Sequence, residues 1–125
     1  MVDSVWKRQA AINPLSNWAD GVWDGDTIDL LIDCGFNQFA RQRIRVLGVN
    51  TPEMRGHEKS LGILSRQKTL EWLSKAKTGQ GRWPLIIETK KVDNFGRWLA
   101  TVQRKSDGQF LTDYLLDLGY PEYSG

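Results

Sequence analysis

A chain of 125 residues, 40% hydrophobic and 26% charged, is large enough for one compact domain and too short for a second hydrophobic core. Its apolar runs fall well short of the roughly 20 residues of a membrane-spanning helix, and no apolar signal segment follows Lys7 and Arg8. We therefore expect a cytoplasmic protein that does not enter a membrane, unless a secretion signal has been trimmed. The lone Cys34 excludes an internal disulfide bond and is expected to be a structural residue at a strand end.

The net charge of +2 conceals a segregation of charge along the chain. Residues 1–33 contain six Asp, residues 106–125 contain four acids and no base, and the segment between them holds fifteen Lys or Arg against five acids. Such a basic segment attracts a polyanion if the fold gathers it on one face, whereas an ordinary solvated surface is the equally weighted alternative.

The chain begins with residues 1–16, which we predict to be a loosely attached N-terminal arm, and continues as one ordered domain over 17–125. A first strand is predicted over 17–23. Apolar residues then predict strands over 27–32 and 39–49, joined by turn residues at 33–37.

Two later strands are predicted over 84–89 and 97–103, and Asp107-Gly108 is typical of a turn. Residues 79–81 are predicted to be a glycine-containing loop that returns the chain to the sheet.

Two helices are predicted between and after these strands. The first begins near Ser60 as a cap and has apolar residues on one face at Ile63, Leu70, Leu73 and Ala76. The second has Leu111, Leu115 and Leu118 on one side and ends at Gly119. Five short strands with a helix before the fourth and another at the end favour an α+β fold, a partly open five-stranded barrel with helices.

Three polar segments border the predicted strands. They are Asp24-Gly25-Asp26-Thr27, the run Arg45-Val46-Leu47-Gly48-Val49-Asn50-Thr51-Pro52-Glu53, and Asp93-Asn94-Phe95-Gly96-Arg97. Oxygen ligands suit a hard divalent cation, a carboxylate can take a proton from water, and guanidinium groups neutralise the charge that grows on a phosphorane. These residue types indicate cation-assisted hydrolysis of a phosphodiester.

In order and spacing, these segments resemble the staphylococcal nuclease (thermonuclease-like) family, from about Val22 to Gly119. The resemblance implies a five-stranded OB-fold-like barrel with two or three helices. It also implies a nuclease that hydrolyses DNA and RNA. We expect low sequence specificity, because phosphate-directed arginines and base stacking would carry recognition, and a preference for single strands. The implied cofactor is Ca²⁺, with Mg²⁺ or Mn²⁺ as alternatives, and a monomer is the default.

The resemblance also implies roles for individual residues. Arg45 and Arg97 would hold the scissile phosphate, and Glu53 would act as the general base on the attacking water. Loss of either arginine is expected to lower catalysis far more than folding. Asp26 and the backbone carbonyl of Thr51 would bind the metal ion.

Asn50 departs from the family pattern, which has a second metal-binding aspartate at this position. The site could work with a weaker or different ion, helped by Asp24 or a water; it could have kept binding and lost hydrolysis; or the asparagine could be an introduced change. We favour a site that works with a weaker or different ion, because the other residues of the pattern are all retained, namely Asp26, Arg45, Glu53 and Arg97. A catalytically weakened or inactive nucleic-acid- or protein-binding module is the alternative function, and a purely structural barrel is a third.

Several other residues are candidates for contact with substrate. Phe95 stands where the family commonly has tyrosine and would stack on a nucleobase, while Arg55 and Lys59 are expected in a basic loop beside the groove. Trp72 and Trp98 are expected in the core or the groove wall, and Trp18 in the arm is a candidate partner contact.

Overall fold

The computed structural model describes residues 7–54, 56–77, 82–92 and 97–123. These residues form eight strands and two α-helices. In chain order they are β1 Lys7–Ile12, β2 Val22–Asp24, β3 Thr27–Asp33, β4 Phe39–Val46, β5 Gly48–Val49, α1 Lys59–Ser74, β6 Leu85–Val92, β7 Trp98–Arg104, α2 Leu111–Asp117 and β8 Glu122–Tyr123.

Six of the strands make one mixed sheet in the order β1-β6-β7-β4-β3-β2. Because β1 also pairs with β3, five of these strands close into a ring of hydrogen bonds. The β4–β7 pairing is parallel and the others are antiparallel. Strands β5 and β8 form a separate short ribbon. The α+β class predicted from the sequence is confirmed.

The predicted loose arm is wrong for Lys7–Ile12, because this segment is β1 and belongs to the ring. Ala10 is completely buried, and β1 pairs with β3 on one side and β6 on the other. The segment contains one large apolar residue, Ile12, so its strand is specified by partners on both sides more than by its own pattern. Residues 1–6 lie outside the described residues.

The other predicted strands have mixed outcomes. Those over 27–32, 84–89 and 97–103 are confirmed as β3, β6 and β7 with small shifts at their ends. The strand predicted over 39–49 divides into β4 and β5, and Gly48 has a φ of 88° at the break.

The strand predicted over 17–23 is wrong except at its end, where β2 begins at Val22. A short 3-10 turn occupies Ala19–Gly21, and the N–H of Gly21 donates to the carbonyl of Trp18 at 2.9 Å. Gly21 has a φ of +75°, and a Cβ there would lie 2.5 Å from the Cγ2 of Ile12. Only glycine fits this turn without displacing its neighbours.

Helix α1 begins at Lys59, with no side-chain capping hydrogen bond, so the prediction of Ser60 as the cap is wrong. Ile63 is 40% exposed, although it was predicted on the buried face. The buried positions are mostly small or polar, namely Gly62, Ser65, Thr69, Trp72 and Leu73. Small residues let the helix lie close to the turn between β2 and β3, where the hydroxyl of Thr69 donates to the carbonyl of Gly25 at 2.6 Å.

Helix α2 buries Leu111 and Leu115 as predicted, but Leu118 is 46% exposed. The helix ends at Asp117, so Leu118 lies beyond its last turn. Gly119 follows with a φ of 100°, which agrees with the predicted helix end.

Turn predictions at 33–37 and at Asp107-Gly108 are confirmed. Cys34 directly follows β3, as expected, and is exposed. Trp72 is buried in the core, and the partly buried Trp98 packs against the core. The loop predicted at 79–81 lies outside the described residues. Among the helices that are described, none combines the length and apolar character needed to cross a membrane.

Candidate functional site

The carboxylate of Asp26 lies buried in the turn between β2 and β3. Its Oδ2 accepts a hydrogen bond from the N–H of Thr51 at 2.9 Å, and its Oδ1 accepts one from the hydroxyl of Thr27 at 3.1 Å. The carbonyl of Asp26 accepts the N–H of Val46 at 2.8 Å. Through its carboxylate and its backbone carbonyl, Asp26 therefore joins the turn, the end of β4 and the segment after β5.

Arg45 lies beside Asp26 and is only 5% exposed. Its Nη2 is 3.4 Å from the Oδ2 of Asp26 and 3.2 Å from the Oδ1 of Asn50, to which it donates. Its Nη1 donates to the carbonyls of Val46 at 2.5 Å and Val49 at 2.9 Å. These two nitrogens thus make three hydrogen bonds and one ion pair inside the protein.

The C-terminal ribbon covers the other side of this arginine. The guanidinium carbon of Arg45 lies 4.4 Å from the centroid of the Tyr123 ring, a cation–π distance. Tyr123 is placed there by β8, whose residues pair with Gly48 and Val49 of β5. Residues far apart in the sequence therefore enclose the guanidinium group.

An open cleft of about 520 Å³ lies beside this buried cluster. It is lined by Trp18, Trp23, Asp24, Thr27, Arg43, Glu53, Met54 and Arg97. Arg97 is connected to the buried carboxylate, because its Nη1 donates at 3.4 Å to the same Thr27 hydroxyl that bonds to Asp26. The structure thus brings Glu53 and Arg97 to one cleft and places Asp26 and Arg45 behind it.

Asp24 lines this cleft, and its Oδ1 accepts a hydrogen bond from the N–H of Asp26 at 3.2 Å. Burial is the largest cause of a rise in the pKa of Asp24 from 3.8 to about 7, and the side-chain hydrogen bond with Asp26 and repulsion from its carboxylate contribute to the same rise. Two carboxylates in one low-dielectric site cannot both ionise easily without a nearby cation.

Glu53 is held at the start of the segment that leads to α1. Its N–H donates to the Oε2 of Glu58 at 3.3 Å, and a Cβ on Gly62 would lie 2.1 Å from its carbonyl oxygen. The glycine in α1 therefore lets the helix backbone approach the Glu53 segment closely. This close contact with α1 fixes the position of the Glu53 backbone beside the cleft.

The candidate ligands for a metal ion are oxygens: the carboxylates of Asp24 and Asp26, the amide oxygen of Asn50 and the carbonyl of Thr51. The Oδ2 of Asp26 and the Oδ1 of Asn50 already contact the guanidinium of Arg45, with which an ion would compete. In the described part of the chain there is no group of three His, Cys, Asp or Glu side chains that could hold a metal ion. An ion here would depend on the two carboxylates plus neutral oxygens, which is the kind of ligand set that hard cations accept.

The remaining predicted site residues are less informative. Lys59 is exposed at the start of α1 and is not among the residues that line the cleft. Arg55 and Phe95 lie outside the described residues.

Sequence reasoning missed Arg43 and Trp23 as cleft residues, and it treated Trp18 as a candidate partner contact. Met54 begins the loop that was predicted beside the groove, and it lines the cleft. The signal for Arg43 was present, since it lies two residues from Arg45 in β4 and strand neighbours at this spacing share a face. No local signal indicated the tryptophans, because their position depends on the turn at Gly21. Comparisons with protein-family models and with curated protein sequences find no match to this chain.

Proposed function

We propose that this protein is a divalent-cation-dependent nuclease of the staphylococcal nuclease type, which hydrolyses phosphodiester bonds in single-stranded DNA and RNA. The observation that carries the proposal is the meeting of Glu53 and Arg97 in one cleft, with the Asp24 and Asp26 carboxylates beside it. These groups come from three separate segments and have complementary roles in phosphodiester hydrolysis.

The proposed fold is an OB-like barrel, to which the closed ring of five strands lends support. In such barrels, nucleic-acid sites are built on the sheet face and adjoining loops. Apart from Trp18, which precedes the 3-10 turn, the cleft residues lie on β2, β3 and β4 and on the segments next to β5 and β7.

In the proposed reaction, the carboxylate of Glu53 takes a proton from the water that attacks phosphorus. The bond from phosphorus to one sugar oxygen breaks, and that oxygen leaves as an alcohol after it takes a proton from solvent. The guanidinium of Arg97 donates hydrogen bonds to the nonbridging oxygens as negative charge grows on them. Arg43, which lines the same cleft, supplies a second cation that attracts the phosphate backbone. Low sequence specificity follows, because these contacts are to phosphate and do not read base edges.

A hard cation fits the chemistry of the site. Asp24, whose pKa is raised to about 7 beside Asp26, would ionise fully next to a divalent ion. Asp26 and Asp24 would hold that ion with the amide oxygen of Asn50 and the carbonyl of Thr51. When bound, calcium would supply Lewis-acid polarisation of a phosphoryl oxygen, and magnesium and manganese are the alternatives.

A second candidate function is nucleic-acid binding without hydrolysis, and the burial of Arg45 favours it. This guanidinium is 5% exposed and is bonded to Asn50 and two backbone carbonyls, so it does not face the cleft. Arg45 in this conformation orders the site and leaves Arg97 and Arg43 to meet a phosphate. Compared with the staphylococcal nuclease pattern, such a site lacks one phosphate-binding arginine and one metal-binding carboxylate, and it would hydrolyse slowly.

The test is the hydrolysis of heat-denatured DNA and of RNA with Ca²⁺, Mg²⁺, Mn²⁺ or EDTA. We expect cation-dependent cleavage that falls by about 10²- to 10⁴-fold in Glu53→Gln and by about 10²- to 10³-fold in Arg97→Ala. Glu71→Gln and Arg82→Ala are the matched controls. Glu71 is on α1 beside Lys68, and Arg82 stacks on Phe39 and Trp83, so neither lines the cleft.

Cleavage that persists in EDTA, or that ignores both cleft variants, would overturn the nuclease assignment. Cation-dependent binding of DNA or RNA with no cleavage would favour the second candidate function.

A further inference from the structure

One wall of the cleft is aromatic and takes no part in the proposed hydrolysis. The rings of Trp18 and Trp23 have centroids 5.7 Å apart and planes tilted by 39°. The guanidinium carbon of Arg43 lies 5.0 Å from the centroid of the Trp18 ring. We call Trp18 and Trp23 the aromatic wall, and Arg43 borders it. Trp23 is 51% exposed, which leaves a large apolar surface in contact with water.

The backbone holds the aromatic wall in place. The carbonyl of Trp18 accepts the N–H of Gly21, and the N–H of Trp18 donates to the hydroxyl of Ser16 at 3.1 Å. Trp23 lies in β2 between Val22 and Asp24, both of which pair with β3. The wall is therefore preorganised, and a ligand would need to order few groups in order to bind there.

We infer that the aromatic wall is a stacking subsite for an unpaired nucleobase of a single-stranded nucleic acid whose neighbouring phosphate faces Arg97. The inference rests on the proposed function, because it takes the phosphate to be the group held in the cleft. Every nucleobase has a π-face, so tryptophan stacking binds bases with little regard to their identity. A base paired in a duplex has both faces covered, and the subsite would therefore select single strands.

The charges around the wall favour this occupant over an apolar protein surface. Arg43, Arg97, Asp24 and Glu53 line the same cleft as the two indoles. A protein segment that covered the indoles would also desolvate these charges, which is unfavourable without matched partners. A nucleotide offers a flat apolar base to the indoles and an anionic phosphate to the arginines.

The experiment measures binding of two fluorescently labelled oligonucleotides of about eight nucleotides, one of deoxythymidines and one abasic with the same phosphates. Binding is followed by fluorescence anisotropy in EDTA, where cation-dependent hydrolysis is absent. We expect the wild-type protein to bind the base-bearing strand about 5- to 100-fold more tightly than the abasic strand. In Trp23→Ala that ratio should fall toward one, while affinity for the abasic strand stays the same.

Trp23→Phe is the second variant and should keep part of the ratio, because phenylalanine retains a smaller ring. Trp83→Ala is the matched control, since Trp83 packs against Phe39 and does not line the cleft. A ratio that is unchanged in Trp23→Ala, or a wild-type protein that does not distinguish the strands, would overturn the inference. Base-dependent binding that needs Trp23, in a protein without hydrolysis, would sustain the inference and refute the nuclease. Hydrolysis by a protein whose base-dependent binding is unchanged in Trp23→Ala would refute the inference and sustain the nuclease.

Discussion

Arg45 and Asp26 form a buried ion pair in which Nη2 lies 3.4 Å from Oδ2, at the junction of the β2–β3 turn with the end of β4. The pair stands behind the cleft and not at its surface. Because neither charge is well solvated, each depends on the other and on its hydrogen bonds. This relationship changes what is expected of Arg45.

Arg45→Met should destabilise the protein by about 3–5 kcal/mol, because it leaves the Asp26 carboxylate buried without its cation. From sequence alone, we expected loss of this arginine to affect catalysis far more than folding. The measurement is urea unfolding, with Arg41→Met on the same strand as the control. Arg41 is exposed, so its loss should change stability by no more than about 0.5 kcal/mol. Equal small effects in both variants would contradict the buried-pair description.

Gly62→Ala should lower both stability and proposed activity, although alanine is a better helix former than glycine. A Cβ at this position would lie 2.1 Å from the carbonyl oxygen of Glu53 and 2.6 Å from its carbonyl carbon, so the Glu53 segment and α1 must separate. We expect a loss of about 1–3 kcal/mol in urea unfolding. Leu64→Ala, an exposed change on the same helix, is the control and should be nearly neutral. A more stable Gly62→Ala would show that the contact is not tight.

Asp24 should make the ion-free protein less stable as pH rises. Its pKa is raised from 3.8 to about 7 in the folded state, so the unfolded chain releases this proton first. The contribution is fully present below about pH 4 and is lost as pH rises through 7, with a slope of roughly 1.4 kcal/mol per pH unit between those values. Urea unfolding in EDTA at pH 5 and pH 8 should show a smaller decline in Asp24→Asn than in the wild type.

Asp107→Asn provides the control for that pH dependence. The hydrogen bond from Arg104 lowers the pKa of Asp107, so its stabilising contribution is present above its unfolded pKa and is lost as pH falls toward the lower folded value. Its replacement should therefore leave the decline between pH 5 and pH 8 unchanged. A wild-type decline that survives in Asp24→Asn would place its origin in another group.

Asn50→Asp should strengthen calcium binding at least about tenfold, because affinity at oxygen-ligand sites rises with the number of charged ligands. Isothermal titration calorimetry gives the dissociation constant directly. Asn37→Asp adds the same charge in an exposed turn, outside the cleft, and should leave it unchanged. Unchanged affinity in Asn50→Asp would remove Asn50 from the set of proposed ligands.

Local patterns in the sequence determined much of the fold. The alternating apolar residues of β3, the apolar run of β6 and the glycine that ends α2 are short-range signals, and each was placed correctly. The chemical role of the Asp24–Thr27 segment was inferred from its residue types and stays a prediction. Strand periodicity and turn preferences act between neighbours, so they can be predicted without the rest of the chain.

The tertiary structure alone decided where β1 and Arg45 lie and how the cleft is walled. Strand β1 is held by two strands that are distant from it in the sequence, with Lys7 opposite Glu88 and Ala10 opposite Ile32. The local sequence of β4 does not distinguish Arg45 from an exposed strand arginine. In the structure, Asp26 and Tyr123 enclose it. Burial and charge pairing depend on contacts between remote segments, and no local pattern encodes those contacts.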